Sequence, residues 1–195
     1  QTKAGEGRML ATGLDIEMAE EIVELYNGTV SIGAINSATS IALSGEHDDL
    51  ENISEELNEN DIFAKFVFGE VAYHSHQMDS LEQDVLTALE AISPSQPHTT
   101  LYSTVTGERI EDAVHDAVYW WQNIRQPVQL KTAIQKIRDD GYRHFIEIGP
   151  NSVLSGAIQQ IFAAETTERP VVVPSLMRHQ DEQEILFRSL AQLWC

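Results

Sequence analysis

Apolar positions along the first third of the chain alternate between two periods. Arg8–Thr12 reads as a short strand, and Gly13–Asp15 supplies a turn ending in Asp15, a helix-capping residue type. Ile16, Ala19, Ile22, Val23 and Tyr26 then recur on one helical face until Asn27-Gly28 stops the run. The β-branched stretch Thr29–Ile35 and the short Ile41–Leu43 predict two further strands. Leu50, Ile53 and Leu57 return to helical spacing within Glu46–Asn60, and Ile62–Phe68 predicts a closing strand.

The order strand, helix, strand, strand, helix, strand predicts a ferredoxin-like βαββαβ subdomain over residues 8–70. Beyond it the pattern changes. Met78, Leu81, Val85, Leu86 and Leu89 stripe a helix, Thr99–Ser103 predicts a strand, and Pro127–Asp139 a helix. His144–Ile148 predicts a buried strand ending at Gly149-Pro150, followed by a helix over Ser152–Phe162 and a last strand over Val171–Pro174. Such alternation predicts a largely parallel sheet covered by helices, which binds ligands beyond the carboxyl ends of its strands. His74 falls just after the small subdomain, at a seam where sites tend to form. The last helical stretch, Ile185–Trp194, runs to the end without a stop signal, and Gln1 is not a methionine. The chain is therefore expected to be a piece of a longer protein.

Charge and composition narrow the partners. The net charge is −19, with 15 acids against 3 Lys/Arg in residues 1–70 and 16 against 9 thereafter. Such a surface repels phosphate backbones, so nucleic acid is not an expected partner. No apolar run approaches the ~18 residues of a membrane helix, and no basic-then-apolar leader opens the chain, so no membrane association is expected. The single cysteine, Cys195, excludes a disulfide within the chain and fits a reducing, cytoplasmic setting.

Chemistry concentrates in Val71-Ala72-Tyr73-His74-Ser75-His76-Gln77-Met78. His74 and His76 could share a strand face, but no third ligand stands at a convincing spacing, so no metal is expected. A histidine base needs a nucleophile. The Gly-x-Ser-x-Gly elbow that exposes a serine on a strained strand-to-helix turn is absent; Gly28-Thr29-Val30-Ser31-Ile32-Gly33 has the wrong spacing. Read from its residues alone, His74 is either a buried histidine that only makes hydrogen bonds or, lacking a nucleophile, half of an active site.

Several further segments stand in order along the chain: Gly7-Arg8-Met9-Leu10-Ala11, Ile35-Asn36-Ser37 with Ile41-Ala42-Leu43-Ser44-Gly45, and Ala72-Tyr73-His74-Ser75 with Met78. Tyr102-Ser103-Thr104-Val105-Thr106-Gly107, Tyr119-Trp120-Trp121-Gln122-Asn123-Ile124-Arg125-Gln126-Pro127-Val128, and Phe145-Ile146-Glu147-Ile148-Gly149-Pro150 with Leu154 continue the set. Together they resemble the later part of the acyltransferase domain of type I polyketide synthases, and Pro174-Ser175-Leu176 resembles the start of the linker that follows that domain.

The resemblance implies a ferredoxin-like subdomain over 8–70, the C-terminal part of an α/β-hydrolase-like acyltransferase core over 71–168, and a linker over 169–195. It implies malonyl transfer from malonyl-CoA to the phosphopantetheine thiol of an acyl carrier protein through a Ser–His dyad. This chain would supply the histidine, His74, and bind no cofactor of its own. The family orients that histidine with a backbone carbonyl, and the position falls on Asn123. Tyr73 and Val71 fall where the family selects its acyl group, an aromatic residue at the former implying malonyl; Val71 departs from the family's usual His or Tyr. Asn36 falls along the pantetheine channel. Arg125, Trp120 and Trp121 are expected to hold structure. The family's serine elbow, carboxylate-gripping arginine and oxyanion segment all precede its counterpart of Gly7-Arg8, so the isolated chain is expected to be inactive. Expected partners are the carrier protein and the ketosynthase and other domains of the same synthase. The alternative is a non-catalytic carrier-protein docking or scaffolding module.

Overall fold

The computed structural model describes Gly5 and residues 7–194; Gln1 and Cys195 lie outside the described residues. The chain divides into two compact units, Gln1–Ala133 and Ile134–Cys195.

The first unit opens with β1 (Gly7–Thr12), α1 (Ile16–Leu25), β2 (Val30–Ser37), β3 (Ser40–Glu46), α2 (His47–Glu59) and β4 (Ala64–Phe66). The strands lie in the order β2-β3-β1-β4, every pair antiparallel, which is the ferredoxin-like arrangement. Asp15 caps α1 by accepting from the Met18 amide at 2.9 Å. Leu10 of β1 and Ile41 and Leu43 of β3 pack with Leu50, Ile53 and Leu57 of α2 and Ala19 of α1, all buried. Burying each such leucine stabilises the unit by roughly 1.5–3 kcal/mol, and a change such as Leu43→Ala would cost about 2–5 kcal/mol.

Strand residues alternate faces. Ile41 and Leu43 face the helices, so Ala42 and Ser44 face the opposite side, and they too are buried. The segment 72–78 reaches that side: the Ser44 hydroxyl bonds the Tyr73 carbonyl, and Gln77 bonds Glu46. Ala72, Ser75 and Met78 are completely buried and anchor it.

The rest of the unit holds a 3₁₀ turn (His76–Leu81), α3 (Glu82–Ala88), β5 (Leu101–Tyr102), β6 (Arg109–Ile110) and α4 (Ala117–Arg125). The strand expected over 99–103 is therefore one arm of a two-stranded antiparallel hairpin rather than part of a parallel sheet. The turn decides this. Gly107 adopts φ +76° and donates to Ser103, while Ser103 donates to Glu108, folding the chain straight back.

Helix α5 (Leu130–Asp139) leads into the second unit, which continues with β7 (His144–Glu147), α6 (Ser155–Glu165), β8 (Val171–Pro174) and α7 (Glu182–Trp194). β7 and β8 pair in parallel from His144↔Val171 to Glu147↔Pro174. Phe145 meets Phe162 of α6 edge to face, with ring centroids 5.8 Å apart. The expected burial of His144–Ile148 is not found: Ile146 is 57% and Ile148 88% exposed. With period-two alternation, Phe145 and Glu147 face α6 and the two isoleucines face away from it. α7 docks through buried Ile185 and through Ser189, whose hydroxyl bonds the Pro174 carbonyl at 2.8 Å, so the 169–195 segment carries both a sheet strand and a packed helix. No helix among the described residues is long and apolar enough to cross a membrane.

Candidate active site

His74 lies in a turn between the antiparallel sheet and the 3₁₀ turn, not in a strand, and its φ is +64°. Few non-glycine residues occupy this left-handed region, and those that do are held there by surrounding bonds. Here the bonds come from the C-terminal end of α4. The His74 amide donates to the Ile124 carbonyl at 2.9 Å. Its Nδ1 lies 2.7 Å from the Gln126 carbonyl oxygen. A carbonyl only accepts, so Nδ1 carries the proton and Nε2 keeps its lone pair.

The carbonyl facing Nδ1 thus belongs to Gln126, not Asn123 as expected. Asn123 sits in the last turn of α4. Gln126 has left the helix at φ −82°, ψ 155°, because Pro127 disfavours the helical region for the residue before it. Val128 then bridges to β2: the Ile35 amide donates to the Val128 carbonyl at 2.8 Å, and the Val128 amide to the Gly33 carbonyl at 2.9 Å. The peptide bearing the Gln126 oxygen is fixed on both sides. The pre-proline position was the available sequence signal.

Burial holds the His74 imidazole below its ordinary pKa by disfavouring the charged form; the Gln126 carbonyl opposes this in part. The ring is therefore a neutral base near pH 7 with a defined tautomer. Ser75 follows as the cap of the 3₁₀ turn, its hydroxyl donating to the Ala72 carbonyl at 2.7 Å and accepting from the Gln77 amide at 3.3 Å.

The neighbouring candidates divide. Tyr73 is half exposed, with its ring centroid 6.5 Å from that of His74. Val71 and Asn36 are half-buried, Asn36 on β2 directly after Ile35, whose amide donates to the Val128 carbonyl. His76 turns elsewhere, its Nε2 3.6 Å from Glu46 Oε1. The described residues contain no group of three or more His, Cys, Asp or Glu that could hold a metal ion. Arg125 pairs with Asp79, tying α4 to the 3₁₀ turn. Trp121 is buried, and Trp120 donates its indole N–H to the His115 carbonyl at 3.1 Å.

A neutral imidazole held in a left-handed turn, with Nδ1 on a backbone carbonyl, has a free Nε2 that is chemically able to accept a proton. The chain belongs to the acyl transferase domain family, whose model matches residues 1–194. It is similar to the spectinabilin polyketide synthase system protein NorC of Streptomyces orinoci, 32% identical over 175 residues, covering 90% of this chain and 8% of that protein. Its fold matches the crystal structure of the acyltransferase domain from module 8 of the salinomycin polyketide synthase with a TM-score of 0.94 and 25% identity, over 99% of this chain and 45% of that one. It matches malonyl CoA-acyl carrier protein transacylase from Clostridium perfringens with a TM-score of 0.82 and 25% identity, over 98% of this chain and 58% of that one. The chain thus spans about half the length of these solved proteins and a small part of the synthase.

Proposed function

We propose that this chain supplies the general base of a Ser–His acyl transfer that moves a malonyl unit from coenzyme A to the phosphopantetheine thiol of an acyl carrier protein. The observation that carries this is the His74 Nδ1 contact with the Gln126 carbonyl, which leaves a neutral Nε2 free to accept a proton. In the first half-reaction Nε2 takes the serine proton as the Oγ–carbon bond forms. The carbon–sulfur bond to coenzyme A breaks, and Nε2–H returns that proton to the leaving thiolate. In the second, Nε2 takes the proton of the pantetheine thiol as the new carbon–sulfur bond forms; the acyl carbon–Oγ bond breaks, and Nε2–H returns the proton to the leaving serine oxygen.

The serine of this scheme comes from residues outside these 195, since no nucleophile elbow occurs among them. The exposed face of β7 supports a larger core, because parallel sheets are covered on both faces. Tyr73 beside His74 supports a malonyl preference: a ring near the substrate α-carbon disfavours a methyl branch. The proposed setting is cytoplasmic, among the ketosynthase, carrier and other domains of a synthase. The 195-residue chain alone is expected to show no acyl transfer. Turnover of malonyl-CoA by the pure chain, abolished by His74→Ala, would contradict the division of the dyad.

A further inference from the structure

The Tyr73–His74 peptide group is pinned at both polar ends by different elements. Its N–H donates to the Ile124 carbonyl at 2.9 Å, at the end of α4. Its C=O accepts from the Ser44 hydroxyl at 2.5 Å, on β3. The plane of this peptide fixes the axis about which φ of His74 is measured, and that φ is +64°. The imidazole is then set by one further bond, Nδ1 to Gln126.

Ser44 is completely buried, so its hydroxyl is costly without a partner. It shares its face of β3 with Ala42, which is also buried. The hydroxyl meets the Tyr73 carbonyl. Two residues on, Glu46 Oε1 accepts from Gln77 Nε2 at 2.9 Å, so β3 holds the His74 turn on either side. The geometry points to Ser44 as a positioning residue: by clamping the Tyr73 carbonyl it holds His74 in its left-handed conformation, with Nδ1 on Gln126 and Nε2 free. This rests on the proposed role of His74 as the base, because a clamp matters to turnover only if the clamped group reacts.

Ser44→Ala removes the donor with little change of volume, and Thr12→Ala is its control. Thr12 is also buried, and its hydroxyl donates to the Ile41 carbonyl at 2.7 Å in the same sheet, but it does not touch the His74 turn. Nitrogen NMR of the imidazole in the 195-residue chain should show His74 chiefly Nδ1-protonated in the wild type and in Thr12→Ala, and a mixture of tautomers in Ser44→Ala. Ser44→Cys, which keeps a weak donor, should fall between and serves if the alanine variant does not fold. In the full-length protein, Ser44→Ala should lower kcat on the order of tenfold with KM nearly unchanged, while Thr12→Ala leaves kcat alone. An unchanged His74 tautomer in both Ser44 variants, or equal kcat losses from Ser44→Ala and Thr12→Ala, would overturn the assignment. His74→Ala distinguishes the two levels: full activity there removes the base assignment, whereas the tautomer still reports whether Ser44 positions the ring.

Discussion

The Nδ1 of His74 faces the carbonyl oxygen of Gln126 across 2.7 Å, although 52 residues separate them in sequence. Ring orientation and tautomer follow from this contact, while burial sets the lowered pKa of the ring. Since the acceptor is a backbone oxygen, removing the Gln126 side chain should matter little and releasing its backbone should matter more. Gln126→Ala is expected to keep acyl transfer in the full-length protein within about threefold of wild type, and Asn123→Ala likewise. Pro127→Ala removes the restriction that drives Gln126 out of the helix and should lower kcat on the order of tenfold or more. A larger loss from Asn123→Ala than from Pro127→Ala would return the orienting role to the helix.

The pH dependence of stability follows from His74. Its folded pKa lies below the unfolded value of about 6.5 because burial disfavours the cation. The contribution is fully present above the unfolded pKa and is lost as pH falls through the folded one. NMR titration should give a His74 midpoint below those of exposed histidines. Urea unfolding should show wild type losing stability between neutral and acid pH more steeply than His74→Ala. A midpoint at or above the ordinary histidine value would contradict the burial argument.

Glu147 predicts a second acid-sensitive point. Its carboxylate accepts from Ser152 Oγ at 2.8 Å and from the Val153 and Leu154 amides at 2.6 and 3.0 Å, closing the start of α6. Desolvation raises its pKa, but these bonds, with a further one from the Ser155 amide, outweigh it and hold the group below its ordinary value. The stabilisation is present above the unfolded carboxylate pKa and lost as pH falls through the folded one. Glu147→Gln should cost about 1–3 kcal/mol at pH 7, and less as the pH is lowered, in unfolding measurements. A pH-independent difference would assign Glu147 to packing alone.

Tyr73 is expected to tilt selectivity rather than fix it. Rejecting one methyl group is worth about 1–3 kcal/mol, so Tyr73→Ser in the full-length protein should raise methylmalonyl over malonyl acylation by roughly ten- to a hundredfold in a competition assay. An unchanged ratio, or a wild-type preference for methylmalonyl, would remove Tyr73 from selection.

Local pattern carried the small subdomain well. The strand and helix periods and the Asp15 cap could be read because each depends on neighbours in sequence. The hairpin of β5 and β6 was missed because the tight turn at Gly107, not the apolar run before it, decides the pairing partner. The exposure of Ile146 and Ile148 was missed because periodicity reports a capacity to be buried, not what is present to do the burying. Gln126 was missed because the carbonyl that reaches a ring depends on where a helix ends. Ser44 carried no signal of its own: a serine in a strand becomes informative only once Tyr73 lies against it.

If His74, and not His76, is the base, the rate of self-acylation by malonyl-CoA in the full-length protein separates the two substitutions. His74→Ala should slow acylation by about 10²–10⁴-fold, while His76→Ala, which loses a contact to Glu46 at 3.6 Å, should stay within about threefold of wild type. Equal losses from the two substitutions, or near-normal acylation in His74→Ala, would contradict the account.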